Sequence, residues 1–328
     1  MLTGQAKNLM INPATAADTD HFTADAPWAR ADEWRPGGSS LVAKFGAEPV
    51  GIAVSATNRV HPTRDTLNVF VREQFRRQGI GSALVKSIQG RRWMPLSVKA
   101  HPGTVAHEFY RSLGAARYQV CPPEQIDTAS IEVLRWANEN RCGGILTGDR
   151  IALDQLNEAW TQMYEIVHAP WSPTGSRATL LAEFRPMIQR ELDRSRSVFV
   201  VRNDRIAAAC FVFGTARDPE VEAICESLDQ TNRLARLDVA ACMAEVLVSA
   251  GGTPVLFDGH ITDPHFFPIL QLIPGVSGRA LELLEIPRNR VSPQESIRAV
   301  MSAWLLAAAS VLVIGYLARR LARAARHR

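Results

Sequence analysis

The apolar positions of the first 121 residues recur first as short strand-length runs and then at helical spacing. Residues 40–45 and 49–56 predict two strands joined by a turn at Gly46-Ala47-Glu48. After a loop over 59–65, which holds His61 and Pro62, the run Val69-Phe70-Val71 predicts a further strand. Ile80, Ala83, Leu84 and Ile88 then fall on one face of a helix. Residues 96–100 predict a strand, and 116–121 a last strand that Pro122 and Pro123 end.

A second series follows. Residues 126–138 have helical spacing and stop before Gly143 and Gly144. Over 151–167 a helical face carries Leu153, Leu156, Trp160 and Met163, and 178–192 is helical with a break at Pro186. Residues 197–201 and 206–213 predict a hairpin turning at Asn203-Asp204. Strands are expected at 221–228, 255–257 and 280–286, and a helix at 237–249. In the N-terminal segment, 18–34 has room for one short helix.

Between the strand ending at Val71 and the helix after it lies Arg76-Arg77-Gln78-Gly79-Ile80-Gly81-Ser82. A glycine turn at the mouth of a helix leaves backbone N–H groups without intrahelical partners. With the positive end of the helix dipole they form a seat for phosphate. Gly79 and Gly81 have no Cβ, so a pyrophosphate can come close to the backbone. Arg76 and Arg77 add positive charge. The motif lacks the third glycine of a dinucleotide fingerprint and the Gly-Lys-Ser/Thr of a Walker loop.

The stretch resembles the acetyl-CoA motif of the GNAT acyltransferases, Arg/Gln-x-x-Gly-x-Gly/Ala, here Arg76-x-x-Gly79-x-Gly81. A second stretch, Ala106-His107-Glu108-Phe109-Tyr110-Arg111-Ser112-Leu113-Gly114-Ala115, resembles that family's later helix and its Gly corner. The hairpin 44–51 resembles its second and third strands. Gly103 stands where the family often has Asn. The resemblance implies an α/β (α+β) fold: a mixed, mostly antiparallel sheet flanked by helices. It implies acetyl-CoA as cosubstrate, bound by Phe70, Val71, Arg76, Arg77, Gln78, Gly79, Ile80, Gly81 and Ser82. A backbone N–H near Val71 would polarise the thioester, and Tyr110 would stand in the place of the general acid; packing under the cofactor is its other use. His61, Asp65 and Glu73 are candidate bases, each also an ordinary surface residue.

The second series repeats the element order of the first and resembles a degenerate GNAT domain. In the place of its glycine loop stands Asp229-Gln230-Thr231-Asn232-Arg233-Leu234-Ala235-Arg236-Leu237, without glycine, and Asp229 and Asp238 would repel a pyrophosphate. The expected organisation is a GNAT domain at 1–121, a linker with a helix at 122–150, a degenerate GNAT-like domain at 151–290 and a hydrophobic helix with a basic tail at 296–328. In the 20 residues 299–318 there is no charge, and five arginines follow. A helix of that length is about 30 Å long. It reads as a membrane anchor or as an alanine-rich helix packed on the body or a partner. The arginines and the absence of an N-terminal apolar run favour the cytoplasmic side, with the helix lying in the membrane interface.

Composition narrows the partners. With 328 residues, 46% hydrophobic and 21% charged, the chain is globular in balance. Its net charge of +4 owes much to the basic end and makes no case for nucleic acid. The five cysteines have no metal-site spacing and read as buried residues of a reducing compartment. His260, Asp263 and His265 lack a fourth ligand, so no metal is expected. His107 and Glu108 read as a solvated helix face, and Trp171 as core or pocket lining. The reading is an acetyl-CoA-dependent N-acyltransferase acting on an amine of a small molecule or a protein. The alternative is a non-catalytic GNAT-fold module that binds acyl-CoA or a partner at a membrane.

Overall fold

The computed structural model describes residues 9–30, 38–214 and 220–288. The compact unit Met1–Pro287 contains two sheets. Its first half runs β1 (Leu9–Pro13), α1 (Ala16–Asp20), β2 (Ser39–Phe45), β3 (Glu48–Thr57), β4 (Asp65–Val71), α2 (Ile80–Gln89), β5 (Leu96–Ala100), α3 (Val105–Ser112) and β6 (Ala116–Cys121). The second runs β7 (Gln125–Ile126), α4 (Ile131–Asn140), β8 (Ile145–Thr147), α5 (Leu153–His168), α6 (Arg177–Arg190), β9 (Val198–Arg202), β10 (Arg205–Phe213), β11 (Val221–Ser227), α7 (Ala235–Ser249), β12 (Val255–Phe257), α8 (Phe266–Leu270) and β13 (Leu281–Ile286).

Strands β1 to β4 form an antiparallel meander, and β5 adds in parallel. The first sheet has the order β1-β2-β3-β4-β5-β13-β6, so the last strand of the second half lies inside it. β13 is antiparallel to both neighbours, with Leu284 opposite Val98 of β5. The second sheet has the order β7-β12-β11-β10-β9-β8 and takes β7 from the segment that follows β6. The two halves therefore exchange strands. This revises two expected boundaries. Residues 122–150 are not a linker: β7, α4 and β8 belong to the second sheet and its cover, with α4 packed on α7. Residues 281–286, expected in the second domain, complete the first sheet, because the edge that β5 and β6 leave open needs a strand between them.

Each sheet is covered on both faces. Leu67, Leu96 and Val98 meet Ile80, Leu84 and Ile88 of α2 and Tyr110 of α3, while Val42, Ile52 and Val54 pack beneath Phe22. In the second half α4 and α7 cover one face and α5 and α6 the other. Thr104 caps α3 by accepting from the His107 N–H at 3.2 Å, and Ser176 caps α6 by accepting from the Thr179 N–H at 3.2 Å. Asn203 and Asp204, at φ 51° and 60°, close the β9–β10 hairpin as their residue types anticipate.

Three further expectations change. α6 runs through Pro186, because Leu180, Phe184 and Ile188 anchor it to the core on both sides of the missing hydrogen bond. Cys142 is exposed, and the other four cysteines are buried and free. His107 is not a solvated residue: its Nε2 lies 2.9 Å from Glu282 of β13. The uncharged segment 299–318 lies outside the described residues. Among the described residues no helix is long and apolar enough to cross a membrane.

Candidate active site

The ladder between β4 and β5 lasts two residue pairs, Asp65 with Leu96 and Thr66 with Ser97. Beyond Thr66 the two strands part, while β4 stays paired to β3 as far as Val71. The Arg72 N–H donates to Val50 O at 3.0 Å. Hydrogen-bonded pairs alternate along an antiparallel ladder, so the amides of Phe70 and Asn68 turn toward β3 and those of Val69 and Val71 turn toward the open side. A groove thus begins where β4 leaves β5, lined by main-chain donors.

At the far end of β4 lies the glycine loop. Gly79 has φ 78° and is the N-cap of α2. Nothing comes within 4 Å of the position a Cβ would take there, and the amides of the first turn, up to Ser82, have no intrahelical partner. Arg76, Arg77 and Gln78 are exposed around it. The Arg76 guanidinium folds back and donates to Val71 O at 3.0 Å, and Gln78 donates to Gln74 O at 3.2 Å. Gly81 has another reason to be glycine: a Cβ would stand 3.1 Å from the Phe109 ring, so the residue lets α2 approach α3. Phe70 does not join the groove through its side chain, which packs edge-on against Phe22 at 6.0 Å. Ile80 is buried beneath the helix.

Tyr110 is 6% exposed, and burial pushes its phenol up to about 12. It keeps its proton at neutral pH and is a weaker acid than a free phenol. Of the three candidate bases the structure sets two apart. Asp65 is buried in an ion pair with Arg92 at 2.7 Å and so holds the base of β4. Glu73 is exposed beside the glycine loop. His61 lines a cavity of about 470 Å³ on the opposite face of the first sheet from α2 and α3.

That cavity is bounded by both sheets, and Thr66 and Ser97, the last pair before the strands part, are in its wall. Its aromatic side is built from His61, Tyr118, Tyr164, His168, Trp171 and His260. The Tyr164 and His168 rings stack with centroids 3.7 Å apart, and His61 Nε2 lies 2.7 Å from Tyr164 Oη. Arg64 lies 4.3 Å over the Tyr118 ring and pairs with Glu285 at 2.6 Å. Burial lowers the pKa of His61, and it lowers that of His168 well below the usual value with help from His260 and His61. Both imidazoles are thus neutral at pH 7. A smaller hollow of about 240 Å³ beside α6 contains one acid, Glu183, which is paired with Arg59 at 2.8 Å.

Of the histidine and carboxylate group weighed for metal, His260 and Asp263 line the cavity and His265 does not; its Nδ1 is 2.7 Å from Glu226. Among the described residues no group of three or more His, Cys, Asp or Glu side chains is placed to hold a metal ion. Tyr164, His168 and Glu222 were invisible as site residues in the sequence. Each sits at an ordinary position of a helix or strand, and only the apposition of the halves turns them toward Thr66 and Ser97.

Residues 36–114 match the acetyltransferase (GNAT) domain family. The two-sheet architecture is similar to that of a GCN5-related N-acetyltransferase from Sphaerobacter thermophilus, at TM-score 0.58 and 15% identity over 85% of this chain and 96% of that one. It is also similar to a tandem GNAT protein from the clavulanic acid biosynthesis pathway, at TM-score 0.59 and 13% identity over 87% of this chain and 100% of that one. A glucosamine N-acetyltransferase region of a fungal multi-domain β-N-acetylglucosaminidase follows at TM-score 0.55 and 13% identity, over 84% of this chain and 38% of that one. No curated protein sequence matches. Residues 36–114 thus match a GNAT domain, and the fold of the described residues is similar to that of tandem GNAT structures.

Proposed function

We propose that this protein is an acetyl-CoA-dependent N-acyltransferase whose cofactor lies in the first half and whose acceptor amine enters from the cavity between the two sheets. The observation that carries this reading is that Thr66 and Ser97 mark both the point where β4 and β5 part and the wall of that cavity. A thioester reaching down the groove from the glycine loop would meet an amine coming from the other face of the sheet.

The amides of the α2 N-terminus around Gly79, with Arg76 and Arg77, bind the pyrophosphate. The Val69 and Val71 N–H groups face the groove and stabilise the oxyanion that forms on the thioester carbonyl. His61, the candidate base that lines the cavity, takes a proton from the ammonium. The neutral amine then attacks, a C–N bond forms, and the tetrahedral species loses its second N–H proton to solvent as the C–S bond breaks, while His61 passes its own proton to solvent. Tyr110 gives its proton to the leaving sulfur and is reprotonated from solvent. The balance is one ammonium and one acetyl thioester to one amide, one thiol and one proton.

The test is thiol release from acetyl-CoA with a panel of amines. Tyr110→Phe keeps the buried ring and removes the proton donor. The expected outcome is a fall of about 10²-fold in kcat with CoA affinity unchanged. An unchanged kcat would return Tyr110 to packing, and no release with any amine would favour a binding module instead.

A further inference from the structure

The acceptor cavity has an acidic end that the transfer of a single amine does not use. Glu222 of β11 and Asp258 of the turn after β12 line it, and Glu124 of the β6–β7 connection, not part of its wall, lies within their field. They converge because β7, β12 and β11 are neighbours in one sheet. The Cys121 thiol, pushed up to about 12 by burial, lies within the fields of Asp258, Glu124 and Asp263. Burial, then Asp258 and Glu222, raise the Glu124 carboxyl to about 7. Lys99 faces the same carboxylates and offsets one charge, while Arg64 is committed to Glu285.

An independent observation shows that the group is incomplete. Asp263 is 4% exposed and lines the cavity, yet its Oδ1 has no hydrogen-bond partner; its Oδ2 accepts from the His260 N–H at 2.7 Å. Glu124 Oε2 is likewise buried and unpartnered. A buried carboxylate oxygen without a donor is costly, which makes it a strong acceptor for any cation that reaches it. Tyr118, Tyr164 and Trp171 line the same cavity, and aromatic rings favour an organic cation. About 470 Å³ suits a small molecule.

Resting on the transferase reading, we infer that the acceptor is a small di- or polyamine. One nitrogen is acetylated at Thr66 and Ser97 while a second, charged nitrogen is held by Asp263, Asp258 and Glu222. The proposal predicts discrimination by the far end of the molecule. With wild-type protein, kcat/KM is measured for 1,4-diaminobutane, 1-aminobutane and 4-aminobutanoate, and calorimetry measures binding of the same three without cofactor. The diamine is expected to exceed the monoamine by roughly 10- to 100-fold, the worth of one charge-assisted hydrogen bond, with 4-aminobutanoate below both. In Asp258→Asn the diamine-to-monoamine ratio should fall to about 1, and Asp263→Asn provides the same reading if the first variant does not fold. Acetylation of all three amines without preference overturns the proposal and leaves the transferase standing. Selective binding of the diamine without acetylation of any amine supports the acidic site and overturns the transferase. If the diamine is neither bound selectively nor preferred, the proposal is wrong.

Discussion

From β8 onward the second half repeats the element order of the first, with α5 and α6 in the place of α1, and the two have treated the same place in the fold in opposite ways. In the first half, β4 parts from β5 and leaves a groove that ends at the glycine turn of Gly79. In the second half, the corresponding strands β11 and β12 pair over Val221 to Ala223 and then separate, but side chains fill the gap. Glu226, 1% exposed, accepts from the His265 and Phe266 N–H groups at 3.1 Å and so sets the start of α8 in the opening. Where the first half has a glycine turn, the second has Asp229 accepting from the Thr231 N–H, and Asp238 in the first turn of α7. Asp238 accepts from Arg202 Nε at 2.8 Å and Asn232 Nδ2 at 3.2 Å. Similar backbones thus leave an open groove beside a glycine turn in one half and a filled gap beside buried carboxylates in the other.

The most direct way to break this comparison is to give the first half the chemistry of the second. Gly79→Asp puts a carboxylate at the phosphate seat and a side chain at φ 78°. At an effective dielectric of about 20 and a separation of about 4 Å, the repulsion is about 4 kcal/mol, roughly a thousandfold in Kd. Calorimetry should find one CoA per wild-type chain and no binding by the variant. Two CoA per chain, or unchanged affinity, would remove the distinction between the halves.

A smaller effect is expected from opening the second helix mouth. Arg202→Ala leaves Asp238 buried with Asn232 as its remaining partner. Because the Arg202 side chain is 42% exposed, the cost is discounted to about 2 kcal/mol, below that of a fully buried pair. Urea denaturation should show that loss while CoA stoichiometry stays at one. A gain of CoA binding would mean that the ion pair, and not the missing glycine, closes the second site.

The smallest effect sharpens the account of the cavity. His168 has a lowered pKa in the folded state, so between that value and about 6.5 the unfolded chain binds more protons, and stability is lost as pH falls. Glu124, raised to about 7, has the opposite sign: the folded state keeps a proton that the unfolded chain releases, and stability is lost as pH rises from about 4.5 to 7. The two oppose each other in the wild type. Glu124→Gln should make stability rise from pH 5 to 7, and His168→Gln should make it fall over the same range relative to wild type, both read by denaturant midpoints. Parallel shifts in the two variants would contradict the assigned environments.

Much of the first half was legible in the sequence because its signals are local. Gly79 marks a turn at a helix mouth, and Ile80, Leu84 and Ile88 a buried face, and each acts within a few residues of itself. The lack of glycine at 229–237 was equally readable, and Asp238 sits at the helix mouth as its position implied. The face of Phe70 is not legible in a three-residue apolar run: the pleat sends its ring to Phe22.

The strand exchange and the cavity were decided by tertiary structure. Residues 125–126 and 281–286 have strand character, but a strand's partner is chosen by which sheet edge reaches it, and nothing in Leu281–Ile286 encodes a place between β5 and β6. The cavity draws on residues 58–66, 97–99, 118–124, 160–172, 222–225 and 258–263, separated by whole elements. No periodicity joins them. The sequence determined which half carries a glycine turn at a helix mouth, because that depends on the conformational freedom of one residue and the charge beside it. Only the packing of the two sheets determined the cavity on the other face, because burial, orphaned carboxylates and stacked rings are properties of neighbours brought together by the fold.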